Sequence, residues 1–149
     1  MNTKRKDFNK IFSQLTTENK KIWAVSTVKE LHNDIIDIAV RLLDLDFIHF
    51  VKITNQTITA SSQIKETTKQ PIARMNHLTA IGIEILYHCD YKVLDFFETN
   101  SPVKGNGSKM VSAVLRNLPE SWSLAVVMDW SDGFWEKIKE KHCDREWIL

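Results

Sequence analysis

Two glycines stand in the segment Pro102-Val103-Lys104-Gly105-Asn106-Gly107-Ser108, and their setting points to anion chemistry. Val93, Phe96, Phe97 and Thr99 before them belong to an apolar, β-favouring run that reads as a strand. Met110, Val111, Val114, Leu115 and Leu118 after them recur at helical spacing until Pro119 ends the pattern. Glycines at a strand-to-helix turn let the backbone approach a ligand. The first N–H groups of the helix lack partners there, and the positive end of its dipole favours phosphate.

Other reactive side chains form weaker constellations. His88-Cys89 and His142-Cys143 are two His-Cys pairs, but adjacent side chains diverge and the usual C-x-x-C spacing is missing, so no metal site is expected. His49 and His77 lie among apolar residues and read as satisfied boundary histidines. Trp122, Trp130, Trp135 and Trp147 crowd the C-terminal end, where core packing needs no further function.

The elements that must position the glycine turn follow from periodicity. Phe8, Ile11, Phe12 and Leu15 share one helical face within residues 4–21. Thr27 and Glu30 have capping-box spacing and predict a helix carrying Val28, Leu31, Ile35, Ile38, Ala39 and Leu42 to about Asp44. Residues 47–53 and 56–60 predict a hairpin, and 65–70 a polar loop. Residues 72–80 read as a helix with Pro71 in its first turn. Residues 81–88 are ambiguous, because Ile81, Ile83, Ile85 and Tyr87 alternate like a strand. From Tyr91 the order is strand, glycine turn, helix, a short apolar strand over 124–128, and a helix capped by Ser131 or Asp132. That is a β-α-β unit with parallel strands, and room remains for one final strand at Trp147.

At 149 residues the chain holds one domain, taken here as 1–149, with an α/β fold on a mixed sheet. A formal net charge of +1 offers no argument for a nucleic-acid or membrane partner. The lysine-rich N-terminus lacks the apolar core of a signal peptide, and two cysteines make no disulfide framework, so a cytoplasmic location is expected. The apolar terminus at Trp147, Ile148 and Leu149 would leave an unpaired edge, which raises the possibility of a homodimer.

The run Phe97-Glu98-Thr99-Asn100-Ser101-Pro102-Val103-Lys104-Gly105-Asn106-Gly107-Ser108, then a helix, a strand and Gly133-Phe134-Trp135-Glu136-Lys137, resembles the GNAT superfamily of acyl-CoA-dependent N-acyltransferases. The resemblance covers about residues 91–149 and implies a splayed central sheet binding acetyl-CoA or CoA. It implies that backbone around Val103, Lys104, Gly105, Asn106, Gly107 and Ser108 holds the pyrophosphate. Phe97, Glu98 and Thr99 would then pair with the pantetheine arm and offer an oxyanion donor. The implied reaction is direct acetyl transfer to a primary amine on a small molecule or peptide. Glu98, ahead of Asp95 and Asp129, is the best placed base. Pro102 stands where the family prefers Gln or Arg. Trp135 stands where it often has a tyrosine acid, and an indole N–H does not titrate usefully. The family also usually ends in two strands rather than one. A non-catalytic acyl-CoA-binding or protein-interaction module, and an unrelated nucleotide-binding βαβ protein, are the alternative readings.

Overall fold

The computed structural model describes residues 1–127 and 133–148. A short strand β1 (Asn2–Lys4) leads into helix α1 (Arg5–Leu15), which buries Phe8 and Phe12. Strands β2 (Lys21–Ala24) and β3 (Glu30–His32) precede helix α2 (Asn33–Leu43). The predicted hairpin is present as β4 (Phe50–Ile53) and β5 (Thr57–Ser61). A small arm, β6 (Ile64–Lys65) and β7 (Gln70–Pro71), leads through a loop to β8 (Gly82–His88) and β9 (Val93–Asn100). Helix α3 (Asn106–Arg116), β10 (Ser123–Val126), α4 (Phe134–Lys141) and β11 (Glu146–Trp147) complete the described chain.

Seven strands form one mixed sheet in the order β11-β10-β9-β8-β5-β4-β2. The centre, β4-β5-β8-β9, is antiparallel, whereas β2 runs parallel to β4 and β10 parallel to both β9 and β11. The β9-α3-β10 unit therefore has the parallel strands that its pattern predicts. The fold is α/β, with four helices among the described residues. One apolar cluster, from Phe8 to Ile138, joins the helices to the sheet. No helix among the described residues is long and apolar enough to cross a membrane.

Three local expectations are corrected. The helix expected from Thr27 and Glu30 begins only at Asn33, where His32 Nδ1 accepts from the Asp34 N–H at 3.1 Å. Val28 and Leu31 are buried as the stripe requires, but residues 30–32 pair with β1 instead. Arg5 fastens that bend by donating to the carbonyls of Ala24, Val25 and Val28. Tertiary pairing has overridden a local capping signal.

Residues 72–80 are not a helix. Asn76 adopts a left-handed φ of +67°, and Asn100 Nδ2 ties the loop to β9 through the carbonyls of His77 (3.0 Å) and Ala80 (2.7 Å). Residues 81–88, open on periodicity alone, are mostly strand: Ile83, Ile85 and Tyr87 are buried while Glu84 and Leu86 are half-buried. The polar stretch 65–70 turns between β6 and β7. The residue preceding α4 is Gly133, with a left-handed φ of +86°; Ser131 and Asp132 lie outside the described residues.

Candidate active site

The site begins where the described pairing of two strands ends. Pairing of β10 with β9 reaches Val126 opposite Phe96, and the Val127 N–H donates to the Phe96 carbonyl at 3.0 Å. Strand β9 continues to Asn100. Its register with β8 slips at the same place: Ile85 faces Phe96 and Glu84 faces Glu98, so Phe97 is the extra residue of a β-bulge. Such bulges re-aim side chains and concentrate beside functional sites.

A cleft of about 330 Å³ opens at this point. Phe96, Phe97, Glu98 and Thr99 form one wall, and Val103, Lys104, Gly105 and Gly107 another. Phe134 and Trp135 of α4 close it, with Met75 and Asn76 from the loop. The bulged strand, the glycine turn and the Trp135 helix thus meet at one place. Asn106 and Ser108 lie outside this lining. The Asn106 N–H turns back toward the Val103 carbonyl at 3.4 Å, and Ser108 faces a shallow depression with Lys109, Ser112 and Arg116.

Each glycine has its own reason. Gly105 precedes α3 with a φ of +95°, a conformation costly for any residue with a Cβ, and no side chain caps the helix there. Gly107 is buried, and a Cβ on it would meet the Phe134 ring at 3.1 Å. Its missing side chain lets α4 close against the start of α3. Beside it, Thr99 Oγ1 is buried with no hydrogen-bond partner among the described residues. A ligand amide or carbonyl at the cleft wall would supply one.

Trp135 is only 5% exposed, with its ring 4.9 Å from that of Phe96, 5.1 Å from Phe134 and 6.4 Å from Trp147. It is core and cleft wall at once. Trp122 is plain core, and Trp130 lies outside the described residues.

Among the candidate bases, Glu98 lines the cleft, and burial raises its carboxyl above the usual range while Arg74 pulls it back. Asp95 sits 3.4 Å from His88 Nε2, away from the cleft, and Asp129 lies outside the described residues. His77 Nδ1 accepts from the N–H groups of Thr79 and Ala80, and His49 Nδ1 contacts the Asn19 carbonyl, so both histidines are satisfied as expected. Cys89 and Cys143 are free thiols, and no three potential metal ligands gather among the described residues.

A second cleft, of about 520 Å³, adjoins the first, and Glu98 belongs to both. Arg74, His77 and Glu84 help line it. These residues, with Met75, Asn76 and Phe134, were missed by sequence reasoning. Reading 72–80 as a helix hid the loop that carries four of them, although Asn76 beside His77 is a residue type that tolerates the left-handed turn. The chain matches no protein-family model, and no curated protein or solved structure is significantly similar to it.

Proposed function

We propose that this chain is an acyl-CoA-dependent N-acyltransferase of the GNAT type, moving an acetyl group to a primary amine. The observation that carries the reading is the convergence of the bulged β9, the Gly105–Gly107 turn and Trp135 on one cleft. The residues suit the cofactor. Backbone N–H groups at the uncapped start of α3 suit a pyrophosphate, and the orphaned Thr99 Oγ1 suits an amide of the pantetheine arm. About 330 Å³ holds such an arm, with the nucleotide left outside beside the exposed Lys104. Acetyl-CoA would supply the activated acyl group as a thioester.

The chain's own work is to align, to desolvate and to take a proton. The strand end from Phe97 to Thr99 aligns the acyl group, with one backbone N–H toward its oxygen. Glu98 accepts the proton that the amine loses as its nitrogen bonds the acyl carbon and the C–S bond breaks. Trp135 has no proton to give the departing thiolate, so that proton comes from solvent. The same substitution favours a second reading, an acyl-CoA-binding module without turnover.

Calorimetric titration with CoA tests the first step. Binding is expected, and Gly107→Val should weaken it by about tenfold or more, because a branched side chain there must displace Phe134 or the ligand. Absence of binding by the unmodified chain would overturn the reading. Turnover separates the enzyme from the module, and its pH dependence tests Glu98. The ionised carboxylate is the base, so the rate should climb with pH along a limb centred above the usual 4.5. Glu98→Gln should abolish that limb and slow transfer by about a hundredfold or more. An unchanged profile would remove Glu98 from the chemistry.

A further inference from the structure

A row of polar side chains crosses four strands, and its acidic end, Glu84 and Glu98, lines the second cleft. Lys52 on β4 is the register partner of Thr59 on β5, Thr59 that of Glu84 on β8, and Glu84 that of Glu98 on β9, so all four share one face of the sheet. Gln70 of β7 binds the cationic end of the row, accepting from Lys52 Nζ at 2.7 Å and donating to Thr59 Oγ1 at 3.5 Å. Thr59 in turn donates to Glu84 Oε1 at 3.4 Å. Lys52 is thereby engaged by an amide rather than a carboxylate.

The acidic end is offset only at longer range, by Lys52 and Arg74. Glu84 and Glu98 stand side by side, and among the described residues neither has a cation within ion-pair distance. Burial, and then the charge of Glu98, raise the Glu84 carboxyl, with Thr59 and Lys52 opposing; burial raises Glu98 as well, with Arg74 opposing. Neighbouring like charges held in a cleft are unfavourable for folding, and a ligand cation between them relieves the repulsion.

The loop above presents the opposite character. Arg74 lies on its exposed part, and Lys65 stands on the arm. Because His77 Nδ1 accepts from the N–H groups of both Thr79 and Ala80, the neutral ring carries its proton on Nε2. The cleft therefore has carboxylate acceptors on its floor and cationic or N–H donors around its rim.

We infer that this second cleft binds a small aminocarboxylate, its primary ammonium on Glu84 and Glu98 and its carboxylate toward Arg74 and His77. Resting on the proposed acyl transfer, this names the acceptor class: Glu98, shared by both clefts, sets the amine beside the acyl group, and Glu84 acts as a positioning residue.

Ligand-detected NMR on the full chain tests the site without CoA. The probes are the standard free amino acids, their C-terminal amides and putrescine. One or more free amino acids should bind, with the matching amides and putrescine weaker by about tenfold or more. Glu84→Gln, which keeps an oxygen for Thr59, should weaken amino-acid binding about ten- to a hundredfold and leave CoA binding unchanged. Arg74→Ala should erase the preference for acid over amide. No amino-acid binding, equal binding of acids and amides, preference for putrescine, or indifference to Glu84→Gln would each overturn the inference. If an amino acid binds and CoA does not, the acyl-transfer reading fails and the site stands. If CoA binds and no amino acid does, only the acceptor assignment falls.

Discussion

Gly82→Ala should destabilise the chain by about 3 kcal/mol, lowering its melting midpoint by about 10 °C. The reason is that a Cβ on Gly82 would meet backbone rather than pliable side chain. It would overlap the Ile72 carbonyl oxygen and lie 2.9 Å from the Ala73 Cα and 3.0 Å from the Ala60 carbonyl oxygen. The Ile72 carbonyl is itself held, accepting from Ser61 Oγ at 2.5 Å, and the Ile72 N–H donates to Gln63 at 3.0 Å. Room for a methyl group comes only by lifting the segment after β7 off the sheet. Gly105→Ala is the control, since its φ is strained but a Cβ there meets nothing within 4 Å; it should cost about 1 kcal/mol. Thermal unfolding of both variants checks the contrast. Equal costs would mean that the chain crossing Gly82 is not clamped to β8. Because Ile72, Ala73 and Arg74 line the second cleft, Gly82→Ala should also weaken amino-acid binding there.

The same crossing explains where sequence reasoning stopped. The β9-α3-β10-α4 order was legible because each element there carries an unambiguous period. Its glycines, strand and helix are consecutive in the chain and needed no long-range contact to be seen. The segment before it was opaque for the opposite reason. The helical spacing of Ile72, Met75 and Thr79 is real, but the loop takes its shape from Asn100, 20 and 23 residues beyond the carbonyls it binds, and from the space that Gly82 leaves. The Thr27 and Glu30 signal failed likewise, overruled by pairing with the N-terminal strand and by Arg5. Glu84 could not be found at all from spacing. Its importance comes from the slip in register that sets it opposite Glu98, and a one-residue bulge leaves no trace in an alternation already blurred by Phe96-Phe97. Thus the glycine-turn side of the candidate site was readable, while the Glu84–Glu98 side exists only once the strands are paired.

Trp135→Ala should be among the most damaging substitutions, costing about 3–5 kcal/mol. The ring is nearly buried and touches an aromatic neighbour on its own helix, one on β9 and one on β11. Truncation opens a void between α4 and β9 beside the cleft, so loss of stability and collapse of the cleft arrive together. That variant cannot tell wall from chemistry. Trp135→Tyr can, because a phenol keeps most of the contact with Phe96 while restoring a group able to donate a proton. It should cost less than half as much stability as alanine and leave CoA affinity within a few-fold. If the chain is a transferase releasing its thiolate to solvent, Trp135→Tyr should hold or raise turnover and add an alkaline limb to the pH–rate profile, where the phenol ionises. If the chain is a binding module, the variant should bind equally well and remain inactive, or gain activity only with the phenol present. With only 5% of the residue exposed, little of the indole is open to the cleft. Large loss of CoA binding on Trp135→Tyr would therefore assign the residue to shape alone, and would end the argument that its chemistry decides whether the cleft turns over.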